Sequence, residues 1–298
     1  MKLQDIKKIA IIGAGAMGNQ IAEILSRQGE FTVNIVDINE EFVQKGLRAI
    51  DDRIERFFVA KGKITPEAKQ KIMKRITGTT SIAEAVKDID FVLEAVPEMM
   101  NLKKDVFKQL NEHTPQGIII ASNTSTLNVT EIAAVTTRPD KVIGMHFFNP
   151  VAVMKLVEVI KGALTSEETA SLVIELTKKL DKEPVVCRDT SYGFLANSAY
   201  EALREEALQI VLEKVASPKD VDKALKLGYN LPQGPLELGD LLGSWKRRAE
   251  MEEDRIKELG PVKGRIHELI RIMVRAGYPG GPGKKGIYDF WKEVMCRW

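Results

Sequence analysis

Two side chains of this sequence are suited by type and spacing to proton chemistry. His146 lies in Gly144-Met145-His146-Phe147-Phe148-Asn149-Pro150, and Glu158 follows twelve residues later in Leu156-Val157-Glu158-Val159-Ile160. An imidazole titrates near neutral pH and serves as a general base. A carboxylate facing it would orient the ring and stabilise its charged form, and a carboxylate buried in an apolar run needs such a partner. Taken singly, His146 reads as a core histidine and Glu158 as an outward-facing strand residue. Only their meeting makes a site. The other two histidines, His113 and His267, lie among charged or polar helical residues and read as solvated.

A second constellation binds phosphate. Ile11-Ile12-Gly13-Ala14-Gly15-Ala16-Met17-Gly18 sets a GxGxxG between an apolar run and a helical stretch. Gly13 permits the tight turn, Gly15 a close approach of backbone to pyrophosphate, and Gly18 close packing of helix on strand. The helix N-terminus adds its positive end. Asp37 ends the next apolar run nineteen residues after Gly18, where a ribose 2′-hydroxyl would be held. A carboxylate there repels a 2′-phosphate, so NAD is expected over NADP.

The elements that must hold these residues are legible as an alternation. Ile9–Ile12, Val33–Val36, Phe91–Val96, Ile118–Ala121 and Val142–Phe148 are short, largely apolar and rich in β-branched residues, as suits parallel strands buried on both faces. Amphipathic stretches at Met17–Gln28, Glu40–Val59, Pro66–Arg75 and Asn101–Asn111 separate them. Such alternation implies βαβ units and a doubly wound sheet. Gly62 and Thr65–Pro66 break the long crossover into a helical hairpin near residues 40–75. After Phe194 helical periodicity takes over, with a helix starting at Ser217–Pro218 and stopping at Gly228. The expected organisation is a Rossmann-type domain over 1–188 and a smaller all-helical domain over 189–298.

Composition bounds the partners. The 298 residues carry 44 basic and 42 acidic side chains, a formal net charge of +2. That balance gives no electrostatic case for nucleic acid or an anionic membrane as partner. Hydrophobic residues at 44% and charged ones at 29% suit a globular chain. Cys187 and Cys296 are too few and too far apart for a disulfide framework or a metal cluster. No metal is expected, and the cytoplasm is the expected compartment. No leading apolar stretch approaches the roughly 20 residues of a membrane span, and no signal peptide is evident.

Ala121-Ser122-Asn123-Thr124-Ser125-Thr126-Leu127, Gly144–Pro150 and Met154–Ile160 together closely resemble the 3-hydroxyacyl-CoA dehydrogenases, particularly the short 3-hydroxybutyryl-CoA enzymes. The resemblance runs from about Ile6 to Gly243 and thinly on to Phe290. It implies NAD-dependent oxidation of an (S)-3-hydroxyacyl-CoA thioester in fatty-acid or short-chain acyl-CoA metabolism. By that resemblance His146 and Glu158 are the catalytic pair, and Ser122 and Asn197 contact the substrate. Gly13, Gly15, Gly18, Asp37, Glu98, Lys103 and Asn149 fall on cofactor contacts, with Glu98 delivered by the third strand. CoA phosphates need cations, and the hairpin offers Arg53, Arg56, Lys61 and Lys63. The family also implies a homodimer through the C-terminal domain.

The sequence departs from the family in three places. Tyr192 replaces a proline and Ser198 an arginine around Asn197. Ten of the fifteen residues in Ser244–Glu258 are charged, where relatives carry a more apolar helix, so the polar segment would sit on the surface and weaken the dimer contact. Pro282 stands where the family has a lysine. Two alternatives stay open here: a hydroxy-acid or sugar-acid dehydrogenase on the same scaffold, and a dinucleotide-binding protein without turnover.

Overall fold

Short β-branched runs bury both faces only when helices cover them, and the chain satisfies this by alternating the two. The computed structural model describes residues 1–189, 193–241, 245, 246, 248, 249, 256 and 267–297. They form two units, Met1–Leu195 and Ala196–Trp298.

The first unit is built on eight strands: β1 (Lys8–Ile12), β2 (Thr32–Val36), β3 (Ile76–Thr79), β4 (Phe91–Glu94), β5 (Ile119–Ser122), β6 (Val142–Phe147), β7 (Leu156–Lys161) and β8 (Glu183–Arg188). Their order in the sheet is β3-β2-β1-β4-β5-β6-β7-β8. All neighbours are parallel except β6 and β7, which are antiparallel. The exception has a local cause. Only a loop without a helix joins β6 to β7, and a parallel return needs a crossover of a dozen residues or more. β3, with the sequence Ile-Thr-Gly-Thr, carries too few apolar residues to be read as a strand beforehand. The strand that leads to Glu98 is therefore the fourth in the chain, not the third.

Helices cover both faces. On one, α1 (Ala16–Arg27), α2 (Glu40–Ile54), α3 (Pro66–Met73) and α7 (Glu167–Lys179) bury Ile21, Ile24, Ile50, Ile54, Ile72 and Val173 against Ile9, Ile11, Val33, Ile35 and Leu93. On the other, α4 (Ile82–Ala85), α5 (Met100–His113) and α6 (Val129–Ala133) bury Ala85, Val106, Phe107 and Ile132 against Ala10, Ile12, Val92 and Ile120. Alternate residues of one strand feed opposite cores, as strand geometry requires. The doubly wound arrangement expected from the alternation is present. Thr65 and Pro66 start α3, the threonine hydroxyl accepting from Ala68 N; a short π-helical turn over Glu55–Val59 extends α2.

The second unit is helical among its described residues: α8 (Ala196–Leu212), α9 (Pro218–Gly228), α10 (Pro235–Leu241), α11 (Glu268–Arg275) and α12 (Ile287–Glu293). Leu208, Val211, Leu236, Trp245, Leu269, Met273 and Phe290 form its core. His267 corrects an expectation. It is buried, its Nδ1 accepts from Leu269 N at the start of α11, and its Nε2 lies 3.2 Å from Gln209 Oε1. Among the described residues no helix is long and apolar enough to cross a membrane. The departure at Tyr192, and that over 244–258 apart from residues 245, 246, 248, 249 and 256, lies outside the described residues. Of those five, Trp245 is fully buried and its indole N–H donates to Asp240.

Candidate active site

The carboxyl ends of β1, β4, β5 and β6 share one edge of the sheet, since these strands run parallel. That edge gathers the chemistry in folds of this kind.

At the end of β1 the chain turns through Gly13, whose φ of +110° lies in the region that favours glycine. A Cβ there would sit 2.6 Å from the Ala95 carbonyl oxygen, and one on Gly18 would sit 1.8 Å from that of Gly13. Both glycines are demanded by the protein's own packing. Gly15 differs, because a Cβ there would meet nothing within 4 Å. Its smallness leaves an open approach to the first turn of α1, where Gly15 is the N-cap without a capping side chain. This is the place for a pyrophosphate. Asp37 flanks the turn: its Oδ2 accepts from Ala14 N at 2.7 Å and its Oδ1 from Ile38 N at 2.8 Å. The residues fit a dinucleotide with a free 2′-hydroxyl.

Across β6 and β7, antiparallel register pairs His146 with Glu158. The imidazole Nδ1 lies 2.8 Å from Glu158 Oε2, and both side chains are buried. A carboxylate only accepts, so Nδ1 carries the proton and Nε2 is left with the lone pair of a base. Glu158 Oε1 accepts from Leu195 N at 3.2 Å. Phe148 and Phe194 flank the imidazole with ring centroids 4.5 and 6.4 Å away, which walls the base with apolar surface.

Ser122 ends β5 and is buried; its hydroxyl donates to Glu94 Oε2 at 2.6 Å. Beyond β4, Glu98 Oε1 accepts from the Thr124 hydroxyl at 2.6 Å and from Ser125 N and Thr126 N at 2.8 and 3.0 Å. Burial pushes its carboxyl up, but the Lys103 charge, the Thr124 hydroxyl and those amides outweigh it and hold it below its ordinary value of 4.5. Lys103 is fully buried, with Nζ 2.7 Å from Glu94 Oε1 and 3.3 Å from Glu98 Oε2. Removing one partner of such a buried pair costs about 3–5 kcal/mol. Asn149 follows β6, and its Oδ1 accepts from Gln20 Nε2 at 3.0 Å.

Residues 8–190 match the model of the 3-hydroxyacyl-CoA dehydrogenase NAD binding domain, and residues 193–290 that of the 3-hydroxyacyl-CoA dehydrogenase C-terminal domain. The chain belongs to the 3-hydroxyacyl-CoA dehydrogenase family. It is 44% identical to the 3-hydroxybutyryl-CoA dehydrogenase of Clostridioides difficile, over 95% of this chain and 99% of that one. It is 42% identical to a probable 3-hydroxybutyryl-CoA dehydrogenase of Bacillus subtilis, over 96% and 98%. The crystal structure of (S)-3-hydroxybutyryl-CoA dehydrogenase from Ralstonia eutropha superposes with a TM-score of 0.89 at 40% identity, covering 95% of this chain and 99% of that one. The family, the NAD-binding Rossmann domain and the oxidoreductase class read from the sequence stand on these findings.

Within this 3-hydroxyacyl-CoA dehydrogenase fold the hairpin cations divide. Arg53 is committed, donating to Glu23 Oε2 at 3.1 Å and to Asn19 Oδ1 at 2.5 Å. Glu23 is buried and also accepts from Arg27, so Arg53 closes an internal charge network. Arg56, Lys61 and Lys63 are exposed; the first two lie 5.3 and 5.4 Å from the Phe57 ring and Lys63 5.6 Å from that of Phe58. Asn197 is half-buried in the first turn of α8, in the second unit. Pro282 is exposed, and nearby Lys285 is paired with Glu293.

Two participants escaped the sequence reading. Glu94 lies within the otherwise apolar run Phe91–Val96, the same signal that drew attention to Glu158. Gln20 carries no such signal. It lies one turn into α1, donating to Ala16 O and Asn149 Oδ1 while accepting from Val151 N, and so binds the dinucleotide turn to the loop after β6.

Proposed function

We propose that the chain oxidises (S)-3-hydroxyacyl-CoA thioesters reversibly to 3-oxoacyl-CoA with NAD, 3-hydroxybutyryl-CoA being the substrate of first choice. The observation that carries this reading is the buried His146–Glu158 pair on the sheet edge that also bears the Gly13–Gly18 turn. His146 Nε2 takes the proton of the 3-hydroxyl, and Glu158 holds the ring and offsets the charge it gains. Bound NAD supplies the acceptor for the hydride leaving the same carbon. Asp37 and the first turn of α1 hold the dinucleotide, with Glu98, Lys103 and Asn149 along the nicotinamide side. Ser122 and Asn197 bind the reacting oxygen and the thioester carbonyl. Arg56, Lys61 and Lys63 attract the CoA phosphates.

The enzyme works in the cytoplasm as a homodimer formed by its helical domain. Leu227 and Tyr229 support that association, since they are 76% and 78% exposed and apolar. The deciding experiment measures NADH formation over a chain-length series of 3-hydroxyacyl-CoA substrates. Turnover greatest at four carbons is expected. NAD binding without turnover on any member would overturn the reading in favour of a dinucleotide-binding protein, and turnover on a CoA-free hydroxy acid would redirect it.

A further inference from the structure

Glu94 is a fully buried carboxylate that the proposed chemistry leaves unused. Three donors converge on it: Ser122 Oγ on Oε2 at 2.6 Å, and Lys103 Nζ and Val96 N on Oε1, each at 2.7 Å. Parallel register sets Glu94 of β4 directly beside Ser122 of β5, both at the carboxyl ends of their strands. The placement is thus built into the sheet. Among the described residues the Ser122 hydroxyl has one side-chain partner, Glu94, and it accepts further from Thr124 N at 3.2 Å.

We propose that Glu94 is a positioning residue of the dehydrogenase reaction, fixing the direction of the Ser122 hydroxyl and locking it to the Lys103 ammonium. The role rests on the reading of Ser122 as a substrate contact. Ser122 donates its proton to the carboxylate and takes the Thr124 amide on one lone pair, so one lone pair remains for a ligand. A glutamine of the same shape inverts this contact. Its oxygen must stay with Lys103 and Val96, both donors, so its amide nitrogen faces Ser122 and turns the hydroxyl round.

The test is a double-mutant cycle on the full chain, read as initial rates with 3-hydroxybutyryl-CoA and as NADH affinity by fluorescence titration. Glu94→Gln is expected to lower kcat about tenfold or more while leaving NADH affinity within about twofold. On a Ser122→Ala background the same change is expected to alter the rate by less than about twofold, because the group it acts through is gone. Glu94→Asp keeps a charge for Lys103 and withdraws the carboxylate from Ser122 by one methylene. It is expected to repeat both results should the glutamine variant not fold. Losses that multiply in full with Ser122→Ala, wild-type rates in both variants, or failure of both to fold would overturn the role. Absence of turnover in the wild type would remove the proposed reaction and this role with it, whereas turnover with multiplying losses removes the role alone.

Discussion

His146 and Glu158 are cross-strand partners in the antiparallel ladder of β6 and β7, with Nδ1 and Oε2 2.8 Å apart. Opposite residues of a ladder project to the same face, so the pairing follows from register and leaves little to side-chain choice. The sheet thereby fixes the tautomer of the base. His146→Gln is expected to lower kcat about 100-fold or more, the range for a lost general base, with NAD affinity unchanged. Adding Glu158→Gln to that variant is expected to cost little more, since the carboxylate acts through the ring. Steady-state rates and NAD titration check both; normal turnover in His146→Gln removes the histidine from the mechanism.

Asp37 holds the glycine turn through Ala14 N and presents its charge where the adenosine ribose lies in the proposed complex. Asp37→Ala is expected to weaken NAD about tenfold or more, the worth of a charge-assisted hydrogen bond. The preference over NADP should fall with it. Titrations of the two cofactors side by side measure this, and unchanged discrimination refutes the ribose assignment.

Glu98 is depressed below 4.5 by Lys103 and the Thr124–Thr126 donors. A depressed carboxyl contributes stability that is present above the unfolded value and is lost as pH falls through the folded one. The wild type is therefore expected to lose stability below about pH 4.5 faster than Glu98→Gln, which has no such proton to take up. Thermal melts from pH 6 to pH 3 compare the two, and parallel curves would exclude the contribution.

The hairpin cations are expected to separate by experiment. Lys61→Gln with Lys63→Gln should raise KM for the CoA thioester about three- to tenfold, an effect that shrinks with added salt. Arg53→Gln instead uncouples the buried Glu23 and should cost about 1–3 kcal/mol of stability. Salt-dependent kinetics and chemical denaturation distinguish them. Equal KM effects for all three positions would place Arg53 among the CoA contacts.

Much of the fold was legible because its signals are local. The β-branched runs of β1, β2, β4, β5 and β6 and the glycine turn each declare themselves within about ten residues. β3 was not, because four residues alternating with threonine and glycine resemble a turn. His267 was misread because helix capping depends on which face of α11 meets the core. Glu94 carried the same local signal as Glu158, an acid within an otherwise apolar run, yet nothing nearby names Ser122 and Lys103 as its partners.

By itself the sequence determined the strand–helix alternation, the dinucleotide turn and the residue types able to move a proton, because periodicity, glycine and imidazole chemistry are properties of short segments. Only the tertiary structure decided which of those residues meet. The antiparallel return of β7 brings Glu158 to His146, parallel pairing of β4 and β5 brings Glu94 to Ser122, and α1 packing brings Arg53 to Glu23 and away from solvent. Such contacts depend on strand register and burial, which are set by the whole core and written in no single segment.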